Sequence, residues 1–83
     1  MPGMSTPDEI QQLRELPAEE AEVLFCRLMI RHHAAGIEMA QAALGRVDNG
    51  EVTRLAEAVI QGQFTEIQDL QDILAERGQV SER

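Results

Sequence analysis

Hydrophobic and polar positions divide the chain into three helical stretches separated by turn-forming residues. Thr6-Pro7-Asp8-Glu9 has the pattern of a capping box. The Thr hydroxyl can accept the Glu9 N–H, the Glu9 carboxylate can reach back, and Pro7 takes a first-turn position where no donor is needed. This predicts a short helix over about 7–16. Pro17 disfavours a helical conformation at Leu16 and can itself begin a second helix, with Glu19, Glu20 and Glu22 near the positive end of its dipole. That second helix contains no further proline and continues to Gly45. Asp48-Asn49-Gly50 then makes a turn, with Asp48 expected to cap a third helix and Glu51 three residues on. Arg77 and Gly78 mark the end of that helix. The expected organisation is one helical domain over 1–78, followed by a frayed polar tail over 79–83.

Placing residues at about 100° intervals shows which faces are apolar. On the second helix Phe25, Met29, Gly36, Ala40 and Ala43 form a stripe, flanked by Leu28, His32 and Met39 on one side and by Cys26, His33, Ile37 and Leu44 on the other. Arg27, Arg31, Glu38 and Gln41 face away. So wide a face suits a helix that touches more than one neighbour. The third helix has a narrower stripe of Val52, Leu55, Ala56, Val59, Leu70, Ile73 and Leu74, interrupted by Gln63 and Glu66. The short turn makes the two long helices antiparallel. With equal rise, residues whose numbers sum to about 96 lie level, so His33 falls opposite Gln63. The polar interruptions of both helices then meet at one height.

Composition narrows the possibilities. In 83 residues only Phe25 and Phe64 are aromatic, so the core is aliphatic, and neither an aromatic stacking platform nor an aromatic-rich β core is expected. Folding such a short chain buries only about 60% of its surface. Compactness therefore calls for efficient helix packing, a metal or a partner chain. A single cysteine excludes an intramolecular disulfide. A net charge of −8 argues against nucleic acid and anionic lipid as partners, and no apolar run is long enough for membrane insertion.

One cluster could carry chemistry. Met29, His32, His33 and Met39 stand on the inner half of one helix, and Met1 and Met4 add two thioethers on an N-terminal arm. Soft thioethers with borderline imidazoles suit monovalent copper better than calcium, magnesium or a hard iron site. Cys26, one turn before Met29, is a conceivable further ligand. The same residues have a packing explanation: methionine fills irregular aliphatic cores, and Gln63 and Glu66 can satisfy histidines beside a helix seam. Gly36, costly inside a helix by about 1 kcal/mol, points to close helix approach or room for a ligand.

Enzyme signatures are missing from the sequence. The residues three before His32 and His33 are Met29 and Ile30, not the Glu of a di-iron Glu-x-x-His pair. There is no His-Glu-x-x-His, phosphate-binding Gly loop or Cys-x-x-Cys. Cys26 and His33 lie about 10 Å apart along one helix, too far for direct activation of a nucleophile. A binding protein is expected, not an enzyme; a structural or interaction module without a metal is the alternative.

Leu28-Met29-Ile30-Arg31-His32-His33 followed by Ile37-Glu38-Met39-Ala40 resembles the signature of the domain of unknown function 305 family. The segment from Met1-Pro2-Gly3-Met4 through Thr6-Pro7-Asp8-Glu9-Ile10, and Gln63 with Glu66-Ile67, extend the likeness over roughly 1–77. The resemblance implies a ferritin-like helical fold, an exported protein and a Cu(I) role for Met29, His32, His33 and Met39, with Met1 and Met4 as auxiliary ligands and Gln63 and Glu66 behind them. Leu70 and Ile73 stand where family members often carry Met and Trp. Many members of that family carry two copies of the helical unit where this chain has one, so the expectation is an all-α antiparallel hairpin with a short N-terminal helix, whose homodimer would restore a ferritin-like four-helix bundle.

Overall fold

The computed structural model describes residues 4–79, which form three helices: α1, Pro7–Glu15; α2, Ala18–Leu44; and α3, Gly50–Glu76. Both bonds of the capping box are present, Thr6 N donating to Glu9 Oε1 at 2.8 Å and Glu9 N to Thr6 Oγ1 at 3.1 Å. Leu16 is extended, as the following Pro17 requires, and the Pro17 carbonyl accepts the first α2 bond, from Ala21 N. The cap of α3 is Asn49, not Asp48: Asn49 Oδ1 accepts from Glu51 N and Val52 N. Asp and Asn cap almost equally well, so the path of the loop chooses between neighbours. At the other end Gly78 is left-handed (φ +72°), with Gly78 N bonded to Ala75 O and Gln79 N to Leu74 O. This is a Schellman closure, which favours glycine at that position. Gln79, the first residue of the expected tail, is thereby tied down, and its side chain also accepts from Arg27 Nη2. The rest of that tail lies outside the described residues.

α2 and α3 form the antiparallel hairpin, and α1 packs against α2. The inward face of α2 runs through Cys26, Ile30, His33, Ile37 and Ala40, all buried. It is rotated by about one residue from the stripe centred on Phe25 and Met29, which corrects the sequence expectation. Phe25 and Met39 remain at least half exposed. The apolar face of α2 is wider than one helix can cover, and its periodicity does not say which part faces which neighbour. On α3, Ala56 and Leu74 are buried while Leu55 is 62% exposed. The densest packing lies at the open end of the hairpin, where Cys26, Ile30 and Leu74 meet Val23, Ile67, Leu70 and Ile73.

The register also differs slightly from the expected one. His33 meets Glu66, and Gln63 lies against Gly36, so facing residues sum to 99. Side chains on a helix lean towards its own N-terminus. In an antiparallel pair both leans act in the same sense and move contacts about a residue further along each helix. Arg31 does not simply face solvent: it holds α1 through a two-pronged ion pair, Nη1 to Glu9 Oε2 at 2.9 Å and Nη2 to Glu9 Oε1 at 2.6 Å. Among the described residues no helix is long and apolar enough to cross a membrane.

Candidate metal site on the hairpin

His33 is the buried polar residue of α2, 6% exposed, and it sits where the inward face of that helix meets the edge of α3. Its Nε2 lies 3.2 Å from Glu66 Oε2, whose side chain is 61% exposed. A proton on Nε2 lets the ring donate to the carboxylate and leaves Nδ1 as an acceptor. Nδ1 is buried and has no hydrogen-bond partner within the described structure. Gln63 Oε1 is in the same condition. The Gln63 amide passes over Gly36, its Nε2 only 2.8 Å from where a β-carbon would stand, so the glycine provides the room this side chain occupies.

His32, one residue along the helix, is exposed, and its ring centroid lies 5.9 Å from that of His33 with the planes at 69°. Two imidazoles on one ion, each nitrogen about 2 Å from it, have centroids roughly 5 to 6 Å apart, and the separation of these two rings falls in that range. Met29 is half-buried one turn before His33. Met39 is 57% exposed and stands about 10 Å further along the axis by the helical rise. The Met4 carbonyl accepts from Arg31 Nη2 at 3.5 Å, which brings the N-terminal arm to the level of His32, with the Met4 side chain exposed. Met1 lies outside the described residues. The structure thus brings His32, His33, Gln63 and Glu66 together, with Met29 one turn away, and leaves Met39 apart. Among the described residues no three His, Cys, Asp or Glu side chains converge as a metal site.

Cys26 belongs to the core cluster with Ile30 and Leu74, and burial pushes its thiol up from the ordinary cysteine range. A protonated buried thiol is a poor nucleophile. Two functional contacts escaped the sequence reading. The Glu9–Arg31 pair was hidden because Glu9 already had a role in the capping box. Asn49 was hidden beside an equally good cap.

The family profile described as "Domain of unknown function (DUF305)" matches residues 1–74. None of the curated proteins matches the chain. Of the solved structures, the crystal structure of the "putative secreted protein DUF305" from Streptomyces coelicolor is 38% identical with a TM-score of 0.89, covering 100% of this chain and 51% of that one. A DUF305 fragment from Deinococcus radiodurans is 38% identical with a TM-score of 0.82, over 89% of this chain and 48% of that one. The chain spans about half the length of these neighbours.

Proposed function

The chain belongs to the DUF305 family, a membership that assigns no chemistry, and we propose from the site itself that it binds or buffers monovalent copper. The observation that carries this reading is the state of His33. Metal-binding imidazoles characteristically donate their second N–H to a carboxylate, which fixes the tautomer and makes the free nitrogen a better ligand. His33 has that carboxylate in Glu66 and a free, buried Nδ1. His32 supplies a second imidazole nearby and Met29 a thioether, a donor set suited to Cu(I). Met39, Met4 and Met1 are auxiliary donors in the same proposal, with Gln63, lying over Gly36 one turn from His33, behind them. The role is binding, not catalysis. Export accompanies it, in keeping with the description of the Streptomyces coelicolor neighbour.

Anaerobic competition with a chromogenic Cu(I) chelator tests the proposal. The wild type should withdraw copper from the chelator, a His32→Ala, His33→Ala double variant should not, and Glu66→Gln should weaken binding by about 10-fold or more through loss of the orienting carboxylate. Wild type and double variant competing equally poorly would assign the His33–Glu66 pair to packing alone. Thermal unfolding supplies the second reading, because a ligand of the folded state raises the midpoint by mass action.

A further inference from the structure

Hydrogen-bond donors and acceptors do not balance in the seam beside Gly36. His33 Nδ1 and Gln63 Oε1 are buried and find no partner among the described residues. Both are acceptors: the ring proton belongs on Nε2, where it faces the Glu66 carboxylate, and an amide oxygen only accepts. Two acceptors cannot satisfy each other. A buried acceptor left unmet loses its hydration without compensation, and folded proteins rarely keep two on one seam. The described residues at this height offer no donor to either atom. Backbone N–H groups are spent inside α2 and α3, which run unbroken past this point. Thr65 donates to Gln61 O on its own helix, and Thr53 stands about 15 Å away along the axis by the helical rise. The Gln63 amide nitrogen is turned onto Gly36, and the exposed His32 ring meets His33 edge-on without bonding Nδ1.

We infer that one water molecule is bound in the seam between α2 and α3, donating one hydrogen to His33 Nδ1 and the other to Gln63 Oε1. The two acceptors share one turn of the seam. Gln63 Cδ lies 3.4 Å from the β-carbon position of Gly36, so Oε1, one bond further, is within about 4.6 Å of that position. His33 is three residues before Gly36, and residues so spaced have β-carbons about 5 to 6 Å apart. Two acceptors that share a water at about 2.8 Å each stand roughly 4.5 Å from one another, beyond the reach of a direct bond. Gly36 keeps the α2 wall low here, and Gln63 Nε2 takes the nearer part of that room while the oxygen stands further off. Water meets the requirement because it is small, neutral and carries two donors. A cation would bring charge against a wall that continues into Ile30 and Ile37, with the Glu66 carboxylate already engaged by Nε2. The site is thus hydrated and formed in advance, and a ligand arriving at Nδ1 exchanges with this water instead of prising the helices apart.

The inference stands without the copper reading, and its test contains a metal chelator throughout. In isotope-labelled wild type, cross-relaxation between water and protein should reveal a long-lived water beside the Gly36 α-protons, and nitrogen NMR should place the His33 ring proton on Nε2. Gln63→Leu, close in size but unable to accept, should lose the water signal while circular dichroism shows the helices intact. Replacing ammonium by sodium in the buffer should leave the signal unchanged. Should the variant unfold, a high-resolution crystal structure of the wild type decides, with solvent density expected within hydrogen-bond distance of both His33 Nδ1 and Gln63 Oε1. A ring proton on Nδ1, a signal indifferent to Gln63→Leu in folded protein or dependent on ammonium, no density between the two atoms, or the Gln63 amide donating directly to Nδ1 overturns the inference.

Discussion

A methyl group added at Gly36 would meet the Gln63 amide nitrogen at 2.8 Å, yet the same methyl would relieve the cost of glycine inside a 27-residue helix. The two effects oppose each other. Gln63 is long enough to move, but its Oε1 is already buried without a partner, so there is little room for it to improve its position. Gly36→Ala should therefore change stability little in the wild type and raise it by about 1 kcal/mol in a Gln63→Ala background, where the helix gain is realised. Urea unfolding of the four proteins in this cycle checks the coupling; equal increments in both backgrounds would show that Gln63 and Gly36 do not interact. The pairing was half legible. Sequence spacing placed His33, Gln63 and Glu66 at one height, but which of the two adjacent histidines turned inward depended on a rotation of α2 that no local pattern specifies. His33 went into the seam and His32 stayed outside.

At the scale of elements, α1 is held by chemistry rather than by a deep apolar face, since none of its residues is buried. Arg31 beside Glu9, helped by the Thr6 N–H, holds the Glu9 carboxyl at about 2, down from the usual 4.5. A lowered folded-state value means that folding favours the charged carboxylate. Its contribution is complete above about pH 4.5 and is lost as pH falls through about 2. The docking of α1 should therefore weaken across that window while neutral pH leaves it intact. Carbon NMR of the Glu9 carboxyl reports the titration directly, and Arg31→Gln should return it towards the ordinary value. A Glu9 titration unmoved by that variant would mean that Arg31 is not its partner. The helices themselves were largely readable, because caps and prolines act on nearest neighbours: the capping box, the extended Leu16 before Pro17 and the left-handed Gly78 all behave as local chemistry dictates. Asn49 in place of Asp48 shows where locality ends, as two equal caps leave the choice to the route of the loop.

For the whole molecule, net charge and apolar area pull in opposite directions. A chain of net charge −8 repels itself when compact, and salt that screens this repulsion should stabilise the fold. Raising salt from about 0.1 M to about 1 M shortens the screening length from about 10 Å to about 3 Å. Thermal unfolding across that range should show a rising midpoint; a fall would mean that the Arg31–Glu9 and Arg77–Glu22 ion pairs outweigh the net repulsion. Family membership, the all-α class and the three helix ranges follow from the order of residues alone, because periodicity, capping and punctuation are properties of neighbours in the chain. What only the tertiary structure decided is how the wide apolar face of α2 is divided: Cys26, Ile30, His33 and Ile37 against α3, Phe25 and Met39 left outside, and Arg31 engaged by α1. A helix with more apolar surface than one neighbour can cover has several rotations of similar local energy. The packing of the other helices, and the lean of their side chains, selects among them.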